Sequence, residues 1–340
     1  MTYSPPRFLR SGLGMTLWAA LVTSQRWRAT IAVPEPEYRS IVFRGQGGVP
    51  LYGWVGIPPG ARGTVIATYG ITGSLENQGY LRVLGAKAYA QGIAVVLFDW
   101  RAHGVTGLLS PTLTSDGLYE GADFVHIAQQ GQRYGCPPPF FFLGYSLGGQ
   151  LALWGAKEAQ GISEIAGAAV ISPNLDAARS LRYLCSSFWG RAIEQRITRE
   201  LQTLAWQLYH THPGALEKIA IERANSIWGY DQELVVPRLG LSSVEEYYRR
   251  SSPLPFLPHL NKPTLIIYPQ DDPLFDPTIV PDLIAACRDN AQIKLLVTRY
   301  GGHVGLISSP RCQRAYGDQD CWWGWNRILD WCGTFLGNSF

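Results

Sequence analysis

Charge of either sign is sparse in this chain, and charges of one sign form no long run. Only 16% of the 340 residues are charged and the formal net charge is +3, too small and too scattered for a nucleic-acid-binding surface. No run of about 20 apolar residues is present either, so no integral membrane segment is predicted. We therefore expect an ordinary globular protein that binds no nucleic acid, and we predict a cytoplasmic location.

Cysteine is scarce as well. The six cysteines form no C-x-x-C pair and no grouping with histidine that has the spacing of a zinc site. Scattered cysteines at this density usually serve as small buried hydrophobic residues. Any disulfide would be expected among Cys312, Cys321 and Cys332. No cofactor and no metal are predicted.

The N-terminal region has two interpretations. Arg7 and Arg10 precede a mostly apolar stretch at 13–22, an order that faintly resembles a signal peptide. The stretch is short, contains Gly14, and runs directly into the polar residues at 25–28. We therefore favour a short amphipathic helix packed on the domain.

Strand-like and helical stretches alternate along most of the chain. Apolar runs predict eight strands, at 38–43, 51–57, 64–68, 93–98, 140–143, 166–171, 263–268 and 293–298. Helical patterns cover 81–90, 117–132, 147–159, 191–209, 242–250, 279–287 and 321–335. This alternation predicts an α/β fold with a mostly parallel eight-stranded sheet, helices on both faces and an antiparallel hairpin at one edge.

One region interrupts the alternation. Residues 172–261 contain helical patterns but no strand pattern, so we expect a helical lid inserted above the carboxyl edge of the sheet. Residues 1–171 would then form the first part of the core and residues 262–340 the second. Apolar residues of the lid either line an acyl-binding slot or form the core of the lid itself: Phe188, Trp189, Leu201, Leu204, Trp206 and Leu208.

The most informative stretch is FFFLGYSLGG at 140–149. It carries the pattern G-x-S-x-G between an apolar strand and a helical run, which is the context of a nucleophile elbow. The serine of such an elbow sits on a strained turn, so its neighbours must have almost no side chain. Gly144 and Gly148 meet this requirement, and we predict Ser146 as the nucleophile.

A serine nucleophile needs a base, and in this arrangement the chain order is serine, acid, histidine. His303 lies in the glycine-rich sequence YGGHVG directly after the last predicted strand, where α/β proteins build their sites. We predict His303 as the base. The other five histidines lie in helical patterns or loops without this context.

The acid is expected in the loop after the preceding strand. That loop reads PQDDP at 269–273, and one of its two carboxylates would hold the imidazole. We favour Asp272; Asp271 is the alternative, and Asp276 is a weaker third candidate.

Two backbone amides are candidates for the oxyanion hole. One is the amide of Leu147, which follows the nucleophile, and the other is the amide of Ile71 in the glycine-rich loop YGITGS at 69–74. A phosphate-binding loop is the competing interpretation, but no lysine follows the glycines. Asp99 and Arg101, after a neighbouring strand, are expected to be structural.

These motifs resemble the YheT-like branch of the α/β-hydrolases, which includes plant embryogenesis-associated hydrolases. The resemblance spans most of the chain and rests on these sequences: TLW at 16–18, GITG at 70–73, GYSLGG at 144–149, YY at 247–248 with SS at 251–252, DDP at 271–273 and GGHVG at 301–305. It implies the α/β-hydrolase fold, a Ser146–Asp272–His303 triad, and esterase or acyltransferase activity. One departure is Tyr69, where such hydrolases usually carry a histidine.

The predicted function is hydrolysis of carboxylic esters with lipid-like or short to medium acyl groups, through an acyl-enzyme on Ser146. An acyltransferase that uses the same triad, a ligand-binding relative without turnover, and a peptidase are the alternatives. The sequence indicates a small-molecule substrate and leaves the acyl chain length and the oligomeric state open.

Overall fold

A computed structural model of the protein describes residues 2–337. A single sheet contains eight strands: β1 (Arg39–Arg44), β2 (Pro50–Gly56), β3 (Thr64–Thr68), β4 (Ala94–Phe98), β5 (Phe140–Tyr145), β6 (Ile165–Ile171), β7 (Thr264–Pro269) and β8 (Ile293–Thr298). Their spatial order is β1-β2-β4-β3-β5-β6-β7-β8, and only the pairs β1–β2 and β2–β4 are antiparallel. The predicted parallel sheet with an edge hairpin is confirmed.

The central strands β3, β4 and β5 are buried along their whole length. Their sequences are uncharged and rich in β-branched or aromatic residues, as expected for strands that are covered by helices on both faces. Because parallel neighbours end at the same edge, the loops after β3, β5, β7 and β8 meet there. That edge carries the predicted site.

Fourteen helices accompany the sheet: α1 (Gly12–Trp18), α2 (Gly79–Ala90), α3 (Gly104–Leu109), α4 (Glu120–Arg133), α5 (Leu147–Glu158), α6 (Ala177–Ser186), α7 (Phe188–Thr211), α8 (Lys218–Arg223), α9 (Ile227–Tyr230), α10 (Val236–Leu239), α11 (Val244–Ser251), α12 (Ile279–Cys287), α13 (Pro310–Tyr316) and α14 (Trp323–Gly333), counted over residues 2–337. All seven predicted helices are present. The helices that the sequence did not predict are mostly short, and their few turns leave too little periodicity to detect.

Buried apolar residues form two clusters. The larger one surrounds the sheet, and the smaller one is built mostly from residues between 177 and 248. Separate packing of this second cluster supports our proposal that residues 172–261 form a lid.

Both ends of the described chain pack on the core. Met15 and Trp27 of the N-terminal segment are buried, and so are Trp325 and Trp331 of α14. The helical interpretation of the N-terminal stretch is therefore confirmed, and the aromatic C-terminal helix is part of the core. Within residues 2–337, the length and apolar character of every helix fall short of what a bilayer crossing requires.

Candidate active site

Ser146 lies on a sharp turn between β5 and α5. Its backbone angles are φ 55° and ψ −125°, a strained conformation for a residue with a side chain. A Cβ on Gly144 would lie 2.0 Å from the carbonyl oxygen of Gly148, and a Cβ on Gly148 would lie 2.3 Å from that of Tyr69. The turn therefore requires glycine at both positions, as the sequence pattern predicts.

The structure brings the three predicted side chains into one hydrogen-bonded chain. The Oγ of Ser146 is 2.8 Å from Nε2 of His303, and Nδ1 of His303 is 2.8 Å from Oδ2 of Asp272. Asp272 is almost completely buried, while a small part of His303 is exposed. With an ionised Asp272, Nδ1 carries the proton and Nε2 is free to accept the proton of Ser146.

The two other acid candidates have different partners. Oδ1 of Asp271 accepts a hydrogen bond from the amide of Gly302 at 2.9 Å, so this side chain holds the histidine loop by its backbone. Burial raises the pKa of Asp271, and the bond from Gly302 opposes that shift. Asp276 accepts bonds from the amide and hydroxyl of Thr278 at the start of α12. Neither forms a hydrogen bond with His303 among the described residues.

The backbone of His303 is held by the N-terminal helix. Its amide donates to Oγ1 of Thr16 at 2.8 Å, and that hydroxyl donates in turn to the carbonyl oxygen of Gly12 at 2.7 Å. Gly302 has φ 56°, and a Cβ there would lie 2.5 Å from the same Gly12 oxygen. This contribution of α1 was not predicted from the sequence, although TLW at 16–18 belongs to the family resemblance.

The predicted oxyanion loop contacts the serine. A Cβ on Gly70 would lie 3.0 Å from Cβ of Ser146, so the backbone of this loop approaches Ser146 directly. Among residues 2–337, the amides of Ile71 and Leu147 donate to no protein acceptor. Both amides are therefore available to a substrate oxygen.

A second unpredicted residue, His103, supports the same loop. Its Nε2 accepts a hydrogen bond from the amide of Thr72 at 3.2 Å, so its Nδ1 carries the proton and donates to the carbonyl oxygen of Arg101 at 2.9 Å. Burial lowers the pKa of His103 to about 4, so the ring is neutral near pH 7. The one signal in the sequence for this role of His103 is the position of DWRAHG, directly after the strand β4.

Tyr69, the departure from the family pattern, is a structural residue. Its hydroxyl donates to Oδ1 of Asp99 at 2.5 Å, and Asp99 also accepts from the amides of Leu75 and Val105. Asp99 thus fastens the loop after β3 to the loop after β4. Arg101 forms a buried ion pair with Asp123. Asp99 and Arg101 therefore both have the structural role that the sequence predicted.

Ser146 lies between two cavities. The first is bordered by α6 and α7 and is mostly apolar; its lining includes Leu181, Leu184, Ile197 and Leu201. The second opens beside the N-terminal segment, where Thr16, Ala19, Ala20 and Ser24 share its wall with His303. Ser146, Ile71, Ile197 and Leu274 line both cavities.

Only Leu201 of the six apolar lid residues named from the sequence lines the first cavity. Leu208 is buried in the second cluster and Leu204 and Trp206 pack against it, whereas Phe188 and Trp189 are 70% and 64% exposed. The interpretation in which all six residues line an acyl-binding slot is therefore wrong. The helical period alone could not tell which face of α7 points toward the site.

Two buried carboxylates also line the first cavity. Asp116 and Asp231 both line it, and Oδ2 of Asp231 accepts a hydrogen bond from Tyr248 at 2.6 Å. Burial, together with the nearby Glu120, raises the pKa of Asp116 to about 7. Within residues 2–337, no group of three or more histidine, cysteine or acidic side chains could hold a metal ion.

The sheet order, the strand-to-helix turn at Ser146 and the lid-like insertion define an α/β hydrolase. The chain belongs to the Alpha/beta hydrolase family, whose model matches residues 72–312. It is 51% identical to a predicted esterase of Synechocystis sp. over 97% of this chain and 94% of the relative.

More distant similarity agrees with this assignment. The chain is 28% identical to YheT of Escherichia coli, also a predicted esterase, over 80% of this chain and 77% of that protein. The YheT-like resemblance is thereby confirmed. Among solved structures, the Pyrococcus furiosus esterase Pf2001 superposes with a TM-score of 0.57 at 18% identity, over 88% of this chain and 94% of that one, which supports the fold.

Proposed function

We propose that this protein is a carboxylic ester hydrolase that acts through Ser146, His303 and Asp272. The observation that carries the proposal is the unbroken chain of two 2.8 Å hydrogen bonds from Ser146 through His303 to Asp272. This order of contacts makes serine a nucleophile, because the imidazole can take its proton while the carboxylate stabilises the imidazolium.

In the first step, Oγ of Ser146 attacks the ester carbonyl carbon as His303 Nε2 accepts the hydroxyl proton. Negative charge develops on the carbonyl oxygen, and the amides of Ile71 and Leu147 stabilise it by hydrogen bonding. The intermediate collapses, the C–O bond to the alcohol breaks, and the imidazolium of His303 protonates the leaving alcohol. An acyl group remains on Ser146.

In the second step, water attacks the acyl carbonyl while His303 accepts its proton. The same amides hold the second oxyanion. As the intermediate collapses, the bond between the acyl carbon and Oγ of Ser146 breaks and the imidazolium of His303 returns the proton to Oγ, which releases the carboxylic acid and regenerates Ser146. Asp272 keeps the imidazole in the required tautomer in both steps.

The apolar walls of the first cavity support an ester with an aliphatic acyl group. The same cavity is lined by Ser146 and by Leu181, Leu184, Ile197 and Leu201. Burial of a methylene against such walls is worth about 0.8 kcal/mol. We propose short to medium or lipid-like acyl esters as substrates.

The test is hydrolysis of p-nitrophenyl esters with acyl chains of increasing length by the wild type, Ser146→Ala and a control, Ser163→Ala. Ser163 is an exposed serine outside the site, so its variant should keep wild-type rates. Loss of the nucleophile should lower turnover by a factor on the order of 10⁶, by comparison with serine proteases. Equal activity of the wild type and Ser146→Ala would overturn the proposal. Added alcohol that is converted into a new ester would instead identify an acyltransferase.

A further inference from the structure

The N-terminal segment, residues 2–34, has an unusual charge distribution. It carries four arginines and no acidic residue, because the first carboxylate of the chain is Glu35. Arg28 forms an ion pair with Glu35. Within residues 2–337, Arg7, Arg10 and Arg26 form no ion pair with a carboxylate, and all three are exposed.

One face of this segment is fully used in packing. Met15, Ala19, Thr23 and Trp27 follow one another at intervals of four residues and are all at least nine-tenths buried. Residues spaced by four lie on the same face of a helix. The segment is therefore anchored to the core by this inner face, and the Thr16 contact with His303 fastens it further.

The opposite face is apolar and exposed. Phe8, Leu17, Trp18 and Leu21 are 68%, 47%, 39% and 51% exposed. The rings of Phe8 and Trp18 contact each other edge to face, with centroids 5.4 Å apart. These side chains form a contiguous outer surface, which we call the N-terminal face, and the packing of the fold does not account for it.

The segment that carries the N-terminal face also forms part of the wall of the second cavity. Thr16, Ala19, Ala20 and Ser24 from the same segment line that cavity, together with Ser146 and His303. A partner that covers this face would therefore contact the same segment that borders the cavity of Ser146 and His303.

We propose that the N-terminal face is a docking surface for a bilayer that contains anionic lipids. An interfacial segment of this kind combines apolar and aromatic side chains, which enter the boundary between headgroups and acyl chains, with arginines that attract anionic headgroups. The exposed apolar and aromatic side chains of this segment are Phe8, Leu17, Trp18 and Leu21. Within residues 2–337, its arginines without an ion pair are Arg7, Arg10 and Arg26. Docking would place the second cavity against the lipid surface.

Charge argues against a second copy of the chain as the partner. A two-fold symmetric dimer places the same patch on both sides of its interface. Such a dimer through this face would bring the unpaired arginines of one copy against those of the other, with no acidic residue in either segment to compensate. An anionic lipid surface has the complementary charge.

The experiment is co-sedimentation of the full-length protein with vesicles of phosphatidylcholine alone and of phosphatidylcholine mixed with phosphatidylglycerol. We expect binding to the mixed vesicles, weaker binding to the neutral ones, and loss of the difference at high salt. Binding is measured in Ser146→Ala as well as in the wild type. It should be unchanged there, so failure of the esterase proposal and failure of docking are distinguishable.

Two double variants, each with a matched control, separate the contribution of the apolar side chains from that of the arginines. Leu17→Asp/Leu21→Asp should lower the vesicle-bound fraction by about tenfold or more on both vesicles. Its matched control is Ile219→Asp/Ile284→Asp, at exposed isoleucines of α8 and α12. Arg7→Gln/Arg10→Gln should weaken binding by about fivefold for each arginine, and only on anionic vesicles. Its control, Arg133→Gln/Arg249→Gln, removes the same charge from α4 and α11.

Hydrolysis of a soluble short-chain ester serves as the folding control for the four surface variants, which should all keep the wild-type rate. Folding of Ser146→Ala, which lacks the nucleophile, is checked by thermal unfolding, and thermal unfolding replaces the ester assay for all variants if the wild type shows no esterase activity. Wild-type protein that stays in the supernatant with both vesicle types would overturn the docking proposal. Equal effects of the Leu17/Leu21 variant and its control would also overturn it. So would a dimer in light scattering that Leu17→Asp/Leu21→Asp converts to a monomer, since the face would then be a contact between copies.

Discussion

The hydroxyl of Thr16 accepts a hydrogen bond from the backbone amide of His303 at 2.8 Å, although the two residues are 287 positions apart. The N-terminal helix therefore holds the His303 loop together with Asp271 and Asp272. In this protein, the segment that borders the opening of the second cavity also positions the proposed base. Removal of this single hydroxyl should affect the reaction without removing a reacting group.

We predict that Thr16→Val lowers kcat for ester hydrolysis by about tenfold, because loss of a single hydrogen bond costs about 1.5 kcal/mol at most in ordinary cases. Valine has nearly the same shape, so packing is retained while the acceptor for the His303 amide is lost. Steady-state kinetics should show a fall in kcat with little change in KM. Thr16→Ser keeps the hydroxyl and should retain most of the activity; an equal loss in both variants would contradict a role for the hydrogen bond.

The two neighbouring aspartates should behave differently. Asp272→Asn removes the charge that stabilises the imidazolium and favours the wrong tautomer, so kcat should fall by about 10⁴, as in serine proteases. Asp271→Asn keeps an acceptor for the Gly302 amide and leaves the bond from Asp272 to His303 intact. We expect it to reduce kcat by less than about tenfold. Comparable losses in the two variants would mean that the assignment of the acid to Asp272 is wrong.

Asp116 should make the stability of the protein depend on pH. Its pKa is raised from 3.8 to about 7, first by burial and then by Glu120. The folded state therefore holds a proton that the unfolded state releases between about pH 4 and pH 7. The contribution of this group to stability falls as the pH rises through that range and stays low above it.

We predict that Asp116→Asn stabilises the protein at pH 8 by on the order of 1 kcal/mol or more, with a smaller gain at pH 5. Asparagine can keep the bond from the Thr114 hydroxyl and tolerates the φ of 49° at this position. Urea unfolding of both proteins at the two pH values measures the difference. A gain that is the same at pH 5 and pH 8 would show that the carboxyl does not titrate in this range. Asp289→Asn, at an exposed position after α12, is the control for loss of a carboxylate.

The local part of the site could be predicted from the sequence because its requirements are local. The turn at Ser146 needs an apolar strand before it, a helix after it and glycine at 144 and 148, and all four features lie within about one strand and one helix of the serine. The same holds for the loop of His303, whose glycines follow directly on β8. The parallel direction of most strands followed from the alternation of strands and helices, since parallel neighbours require a crossover between them.

Other features depend on contacts between distant parts of the chain, and no periodicity encodes them. Asp271 and Asp272 have the same chemistry and adjacent positions, and only the direction of each side chain in the folded loop brings Asp272 to His303. Likewise, the hydrogen bond from the amide of Thr72 to His103 joins two loops that follow different strands, β3 and β4.

The sequence by itself therefore determined the fold class, the position of the strained serine and the family to which the chain belongs. Tertiary structure decided which aspartate meets the histidine, that Thr16 holds it, and which face of the N-terminal segment remains exposed. The physical reason is the range of the interactions. Turns and helix periodicity are set by neighbouring residues, whereas the hydrogen bonds of the site join segments that become adjacent only when the sheet edge and the N-terminal helix have packed together.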